Sequence, residues 1–406
     1  MSDIETRVRQ AMHAEAGRAR AEQLRLIIVN SLERRAPRRS WPAPVAAALA
    51  IATTIAGVAV AVHASGIFGS RGGGSRPMSS TFTKPPWPAG DKRMPAYYVA
   101  IYFGKAIDGS SAITMSAVVH SSATGALLRA MPLPNMNAYG RTGPVITAAG
   151  DDRHFLIAMS TGASGVTRFY LLTLGATGRT ASLATLPIHP IPAKESVSGI
   201  ALTPDGTQLA MTVQFPWPAR WPQPAGEIKV VNLVTGSVRT WTTRHNIHIG
   251  DGPSEPSWGD GGRLLGFMWN EHEGVPDRGL YILNTTAPGS NLMAARRFFR
   301  GTGEGLDGYL TIPGQTVIAD MDPLDPTGPT LNDGYPSIVE YSARTGHLIR
   351  TLYGPPRQAT PAGYGVVSVD PTGNYLLVTV PHFGRLVNGK FTRLAMKPGV
   401  VPIAAW

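Results

Sequence analysis

The pair of segments "SGIALTPDGTQLAMTV" (198–213) and "GEIKVVNLVTGSVRTWTT" (226–243) constrains the fold more than any other feature of the chain. Each segment is two apolar runs around a turn. Pro204 to Gly206 forms the first turn and Val234 to Gly236 the second, because Pro presets φ near −65° and Gly accepts the positive φ that a tight reversal needs. Four short strands follow directly. The same unit recurs as "GPVITAAGDDRHFLIAMS" with "RFYLLTLGATGRTASLATL", as "EPSWGDGGRLLGFMW" with "GLYILNTTAPGSNLMAARRF", as "YLTIPGQTVIADM" with "SIVEYSARTGHLIRTLY", and as "GYGVVSVDPTGNYLLVTV" with "GRLVNGKFTRLAM". A period of roughly 45 to 55 residues is that of a four-stranded propeller blade.

The first unit lacks a strand. "YYVAIYFG", "AITMSAVVHSSATG" and "ALLRAMPL" supply three, and nothing before Tyr97 suits an innermost one. The chain ends in "VVPIAAW", which resembles the innermost-strand piece "SEPSWG". The expectation is therefore an all-β, six-bladed propeller over residues 96–406, closed by the C-terminal strand so that two sheet edges are removed. A content of 46 Gly and 35 Pro agrees with short strands and tight turns.

The N-terminal quarter reads differently. From Ser40 to Val62 there is no ionisable side chain, and about twenty residues at 1.5 Å rise cross a hydrocarbon core of roughly 30 Å. Arg34, Arg35, Arg38 and Arg39 flank its start, which by the positive-inside rule puts the N-terminus in the cytoplasm. This gives a cytoplasmic helical segment over 1–42, a transmembrane helix over 43–63, a Gly/Ser/Pro-rich stalk over 64–95, and an extracytoplasmic propeller. The competing reading is a signal peptide cleaved before Ser65, after the small residues Val62 and Ala64; an n-region of about forty residues argues against it. Within 1–42, Ile4, Val8 and Met12 form one apolar stripe and Leu24, Ile27, Ile28 and Leu32 another. Two readings stand for this segment: a helix held near anionic lipid by its arginines, or a docking helix for a cytoplasmic regulator.

The formal charge of +11 does not imply nucleic acid. Residues 1–42 hold nine Arg against five acids, and 65–95 hold five bases against one acid, so the remainder is close to balance. The absence of cysteine excludes disulfides, thiolate nucleophiles, Cys-ligated zinc and a lipidated cysteine.

The units resemble WD40-like and TolB-like propeller repeats, and the layout is similar to actinobacterial single-pass membrane proteins with an extracytoplasmic propeller. PDG-type turns and the terminal "AAW" carry the resemblance, and the excess of Arg over Lys fits a GC-rich genome. No Trp-Asp pair closes a blade, a departure from true WD40 repeats. The resemblance implies a link to extracytoplasmic-function sigma-factor signalling.

Long connections on a rigid scaffold are where function concentrates. Phe215, Trp217 and Trp221 in "QFPWPARWPQPAG" could stack on a sugar or anchor a protein; the alternative is a loop folded over its own blade. His245, His248, Asp251, Glu271, His272 and Glu273 fall in two neighbouring connections and could hold a ligand, bind a divalent metal or exchange protons, although their spacing matches no established motif. Asp320, Asp322 and Asp325 offer oxygen donors to a calcium ion, without the Gly and Glu of an EF-hand loop. No G-x-S-x-G and no P-loop occurs, so a binding or sensing module is expected, with an anchored hydrolase or lyase as the alternative and no cofactor assigned. The expected partners are the bilayer, an envelope ligand or protein, and a cytoplasmic regulator.

The full chain should fractionate with membranes, and protease added outside spheroplasts should remove everything beyond the stalk. A soluble secreted form beginning at Ser65 would overturn this topology.

Overall fold

The computed structural model describes residues 94–105, 113–136, 142–161, 165–215, 226–242, 252–269, 279–300, 307–311, 315–321, 337–354, 365–379, 382–395 and 403–406. All lie in the compact unit Thr83–Trp406. The segments 1–42 and 43–63 and almost all of 64–95 are outside the described residues. Among the described residues no helix is long and apolar enough to cross a membrane.

Blade one contains β1 (Tyr97–Lys105), β2 (Ile113–Ser121) and β3 (Leu127–Pro132). Blade two contains β4 (Val145–Ala148), β5 (His154–Thr161), β6 (Val166–Leu174) and β7 (Ala181–Thr185). Blade three follows with β8 (Ser196–Leu202), β9 (Gln208–Gln214), β10 (Gly226–Asn232) and β11 (Val238–Thr242). Blade four is β12 (Pro253–Gly259), β13 (Leu264–Trp269), β14 (Gly279–Asn284) and β15 (Arg296–Arg300). Blade five is β16 (Asp307–Leu310), β17 (Thr316–Met321), β18 (Ser337–Ser342) and β19 (Leu348–Tyr353). Blade six is β20 (Gly365–Val369), β21 (Tyr375–Thr379), β22 (Phe383–Val387) and β23 (Lys390–Arg393). The last strand, β24 (Ile403–Ala405), completes blade one, whose order is β24-β1-β2-β3. The chain is an all-β, six-bladed propeller of four-stranded antiparallel sheets, closed by its C-terminal strand.

Val99 pairs with Ala405, Ala100 with Ala404 and Ile101 with Ile403. The inner strands β24, β4, β8, β12, β16 and β20 neighbour one another in that cyclic order.

Period-two alternation divides each strand between two interblade cores. Val99 and Ile101 of β1 pack with Phe155, Ile157 and Met159 of blade two. Tyr98 and Ala100, one residue out of phase, pack with Leu377 and Phe383 of blade six and with Trp406. Burial falls outward: every residue of β5 is buried, whereas β19 exposes its first four.

Hydrogen bonds join each blade to the next. Tyr97 Oη donates to the Ala176 carbonyl of blade two, and the Gly150 amide to Pro204 of blade three. The Trp258 indole of blade four donates back to Ala201 O at 3.0 Å. Arg239 spans from β11 to the carbonyls of Thr285, Ala287 and Gly289. Arg296 reaches Ala343 O, Tyr309 Oη reaches Val366 O, and Arg385 of blade six returns to Ser122 O of blade one at 2.6 Å. The ring is thus stapled as well as packed.

Trp406→Ala should cost about 3–5 kcal/mol, the range for emptying a buried tryptophan site. Removal of 402–406 should also expose the inner edge of β1 and cause aggregation, while removal of 1–64 should leave a cooperatively folding domain. Denaturant melts of the variants check this, and equal stability of the two truncations would exclude closure by β24.

Candidate functional site

Strand direction sorts the connections into two sets. Hairpins from inner to second strand and from third to outer strand are short, as in 203–207 between β8 and β9 and 233–237 between β10 and β11, except in blade four, where β14 to β15 uses 285–295. Connections from second to third strand, and from blade to blade, leave the opposite ends of the strands and include the long 215–225, 243–252, 270–278, 322–336 and 354–364, although β5 to β6 uses only 162–165 and β21 to β22 only 380–382.

The short hairpins are held by their own side chains. In the first, Asp205 Oδ1 accepts from the Thr203 hydroxyl at 2.7 Å and from the Thr207 amide at 3.0 Å, and Gly206 has φ +70°. A side chain at Gly206 would be strained. Asp370 does the same for the β20–β21 turn, accepting from the amides of Thr372 and Tyr375. These acids are committed to backbone groups.

Among the residues singled out from the sequence, Trp217 and Trp221 belong to the β9–β10 connection, His245, His248 and Asp251 to the link from blade three to blade four, and Glu271, His272 and Glu273 to the β13–β14 connection. All eight lie outside the described residues, as do Asp322 and Asp325. Phe215 is half-buried immediately after β9. Asp320 is buried in β17, and its Oδ2 accepts the Val366 amide of blade six at 3.1 Å. That bond links blades five and six. Among the described residues no group of three or more His, Asp or Glu is arranged to hold a metal ion.

Two polar clusters that sequence reasoning missed lie between blades two and three. Thr142, Ser160 and Thr167 are fully buried; Thr167 Oγ1 donates to Thr142 Oγ1 at 2.8 Å, and the Val197 amide of blade three donates to the same oxygen at 2.9 Å. The hydroxyls satisfy one another and an inner-strand amide. Beside them Glu227 is buried and pairs with Lys229 at 2.5 Å. Burial raises the Glu195 carboxyl above its ordinary value; Lys229 pulls it down and Glu227 pushes it back up. The Lys229 ammonium pairs with Glu227 and also favours the charged form of Glu195.

The innermost layer holds a third feature. Glu255 has φ +47° inside β12, whereas the other non-glycine residues with positive φ among the described residues, Asp152, Asp260 and Asn388, sit in or beside hairpin turns. The register of β12 against β13 shifts between Ser254 and Ser257, so Glu255 and Pro256 form a bulge. Pro256 within a strand pattern was the available cue. Strand β8 is correspondingly tight: a Cβ on Gly199 would lie 2.5 Å from Pro256 Cδ and 3.0 Å from Glu255 N. Of the six inner strands, β12 carries Glu255, β16 begins with Asp307, and none contains Lys, Arg or His. Strain of this kind, about 1–2 kcal/mol for a residue with a Cβ, collects at functional sites.

No family model matches the chain, and no curated protein does. Among solved structures it is similar to the β-propeller domain of the trilobed protease from Pyrococcus furiosus, at 11% identity over 74% of this chain and 82% of that one, with a TM-score of 0.41. It is also similar to hydrazine synthase of Kuenenia stuttgartiensis, at 15% identity over 77% and 80%, TM-score 0.38. A puromycin-hydrolysing peptidase of Mycobacterium tuberculosis gives 14% identity over 78% of this chain and 50% of its own, TM-score 0.40. The propeller assignment rests on the sheet order, and the activities named for those proteins stay with them.

Gly199→Ala should destabilise by about 1–3 kcal/mol, the usual cost of overpacking. Glu255→Gly should melt no lower than the parent, because glycine accepts φ +47° without strain. Thermal melts of both check the geometry of the bulge; a Glu255→Gly variant as damaged as Gly199→Ala would refute it.

Proposed function

We propose that the protein is a membrane-anchored, extracytoplasmic binding or sensing module. It holds an envelope ligand or protein at the long-connection end of the propeller and relays occupancy through the 43–63 anchor to the arginine-rich segment 1–42. The observation that carries this reading is the asymmetry of the two loop sets. Short hairpins closed by Asp205 and Asp370 occupy one end of the strands, and the connections containing Trp217, Trp221, His245 and His272 leave from the other. The aromatic residues suit a partner that excludes water from flat apolar rings, and the neighbouring His and acids suit its polar groups. The acid content of the inner strands favours cationic groups near the axis.

A cytoplasmic segment of about forty residues, rich in Arg and carrying two apolar stripes, is more than a tether requires. It fits a regulator-docking role, in line with the resemblance to proteins associated with sigma-factor signalling.

The test uses the full-length chain in detergent as bait for solubilised envelope components. Trp217→Ala and Trp221→Ala should each weaken capture of the bound component roughly thirtyfold, about 2 kcal/mol, as expected of aromatic anchors. Unchanged capture by the double variant, or metal-dependent turnover lost on His245→Ala and His272→Ala, would replace this reading with an anchored enzyme.

A further inference from the structure

His120 lies at the end of β2, on the seam where blade six meets blade one, and is 5% exposed. Its ring stacks on Tyr98 at a centroid distance of 4.8 Å and an interplanar angle of 4°. Nδ1 is 3.0 Å from the Gly125 carbonyl and Nε2 is 3.3 Å from Tyr102 Oη. A carbonyl can only accept, so Nδ1 carries the proton and Nε2 accepts from the Tyr102 hydroxyl. Both nitrogens of a neutral imidazole are then satisfied.

Each group that His120 touches is part of the closure. Tyr98 packs against Phe383 of blade six at 5.6 Å and against Trp406, beyond the closing strand, at 6.5 Å. Gly125, with φ +73°, presses on blade six so closely that a Cβ would lie 2.7 Å from Ala395 N. Arg385 of blade six bonds the carbonyl of Ser122, two residues beyond His120.

We propose that His120 makes the ring closure acid-sensitive: protonation places a charge with no carboxylate partner in the seam between blades six and one and loosens it, leaving the other five seams intact. The groups facing the imidazole are the neutral phenols of Tyr98 and Tyr102 from β1 and the Gly125 carbonyl from the β2–β3 turn. From blade six come Phe383 and Leu394, against Tyr98 and Gly125, and the cationic Arg385, which is bonded elsewhere. Among the described residues no carboxylate pairs with the ring. The Tyr98 face returns part of the cost of a charge by cation–π attraction, and the Gly125 carbonyl returns more. Burial still outweighs both and lowers the folded-state pKa below the ordinary histidine value. Because that pKa is depressed, the unfolded chain binds the proton more readily. The stabilisation is complete above the unfolded value of about 6.5 and is lost as pH falls from there towards the folded value.

Hydrogen exchange on the full-length chain tests this, with rates corrected for the intrinsic effect of pH. Amides of Val99–Ile101 and Ile403–Ala405 should lose protection by up to about tenfold per pH unit below about 6.5, while the β8 and β12 amides of the seam between blades three and four hold theirs. His120→Gln, which keeps a hydrogen-bonding side chain without titrating, and His120→Phe, which keeps the stack, should both remove the acid response of the β1 and β24 amides. Parallel loss at both seams, no loss at either, or an unchanged response in a folded His120 variant would overturn the proposal. If neither variant folds, the comparison of the two seams in the parent chain decides alone.

Discussion

The architecture depends on three residue pairs. Among the described residues Val99–Ala405, Ala100–Ala404 and Ile101–Ile403 make the strand pairing between the last strand and the first blade, and they join positions about three hundred residues apart. Without them blade one would lack the inner strand that the other five blades have, and β1 would present an open edge in its place. A short ladder of this kind contributes little by hydrogen bonding alone. What makes it sufficient is that Ala404, Ala405 and Trp406 are buried at the same time: Ala405 enters the core shared with blade two, and Ala404 and Trp406 enter the core shared with blade six. One strand serves two seams, so closure is cooperative with both.

That sharing recurs through the ring and follows from the pleat. A strand with a side-chain period of two, clamped between two other sheets, has no solvent face, and in blade two the second strand is buried throughout. The outer strands have one neighbour fewer and return to mixed polarity, as β7 and β11 show. Sheet twist swings each outer hairpin towards the adjacent blade. This is why Tyr97, Arg239, Arg296 and Arg385 find backbone carbonyls of a neighbouring hairpin within reach. Arg239 also lays its guanidinium over the Trp241 ring, 4.6 Å from the centroid.

Much of this was legible in the sequence because the determinants are local. A Pro-Asp-Gly or Thr-Gly turn between apolar runs specifies its hairpin within a few residues, and the absence of a fourth strand before Tyr97 forced the inference that the C-terminus supplies it. What was not legible depends on residues brought together from different blades. Nothing in "SAVVHSS" distinguishes His120 from any buried histidine until Tyr98, Gly125 and blade six surround it. Thr142, Ser160 and Thr167 are three ordinary hydroxyls until the inner strand of blade three places an amide among them. Asp320, read as an oxygen donor for calcium, also accepts an amide across the seam between blades five and six, a partnership that no spacing along the chain could reveal.

The same distinction bears on where function resides. A seam must be filled by complementary side chains, so its polar groups are mostly matched internally, as Thr142, Asp320 and the neutral His120 are. A strand end is under no such demand: the connection leaving it need only span the gap, and its length and composition are free to serve a ligand. Binding chemistry is therefore expected at the ends of the strands and along the axis, and conformational response in the seams. Glu255 lies where these meet. It is an acid on an inner strand, on a bulge that forces Gly199 of the next blade to remain without a side chain. Any change in the bulge would therefore act on the backbone contact between blades three and four.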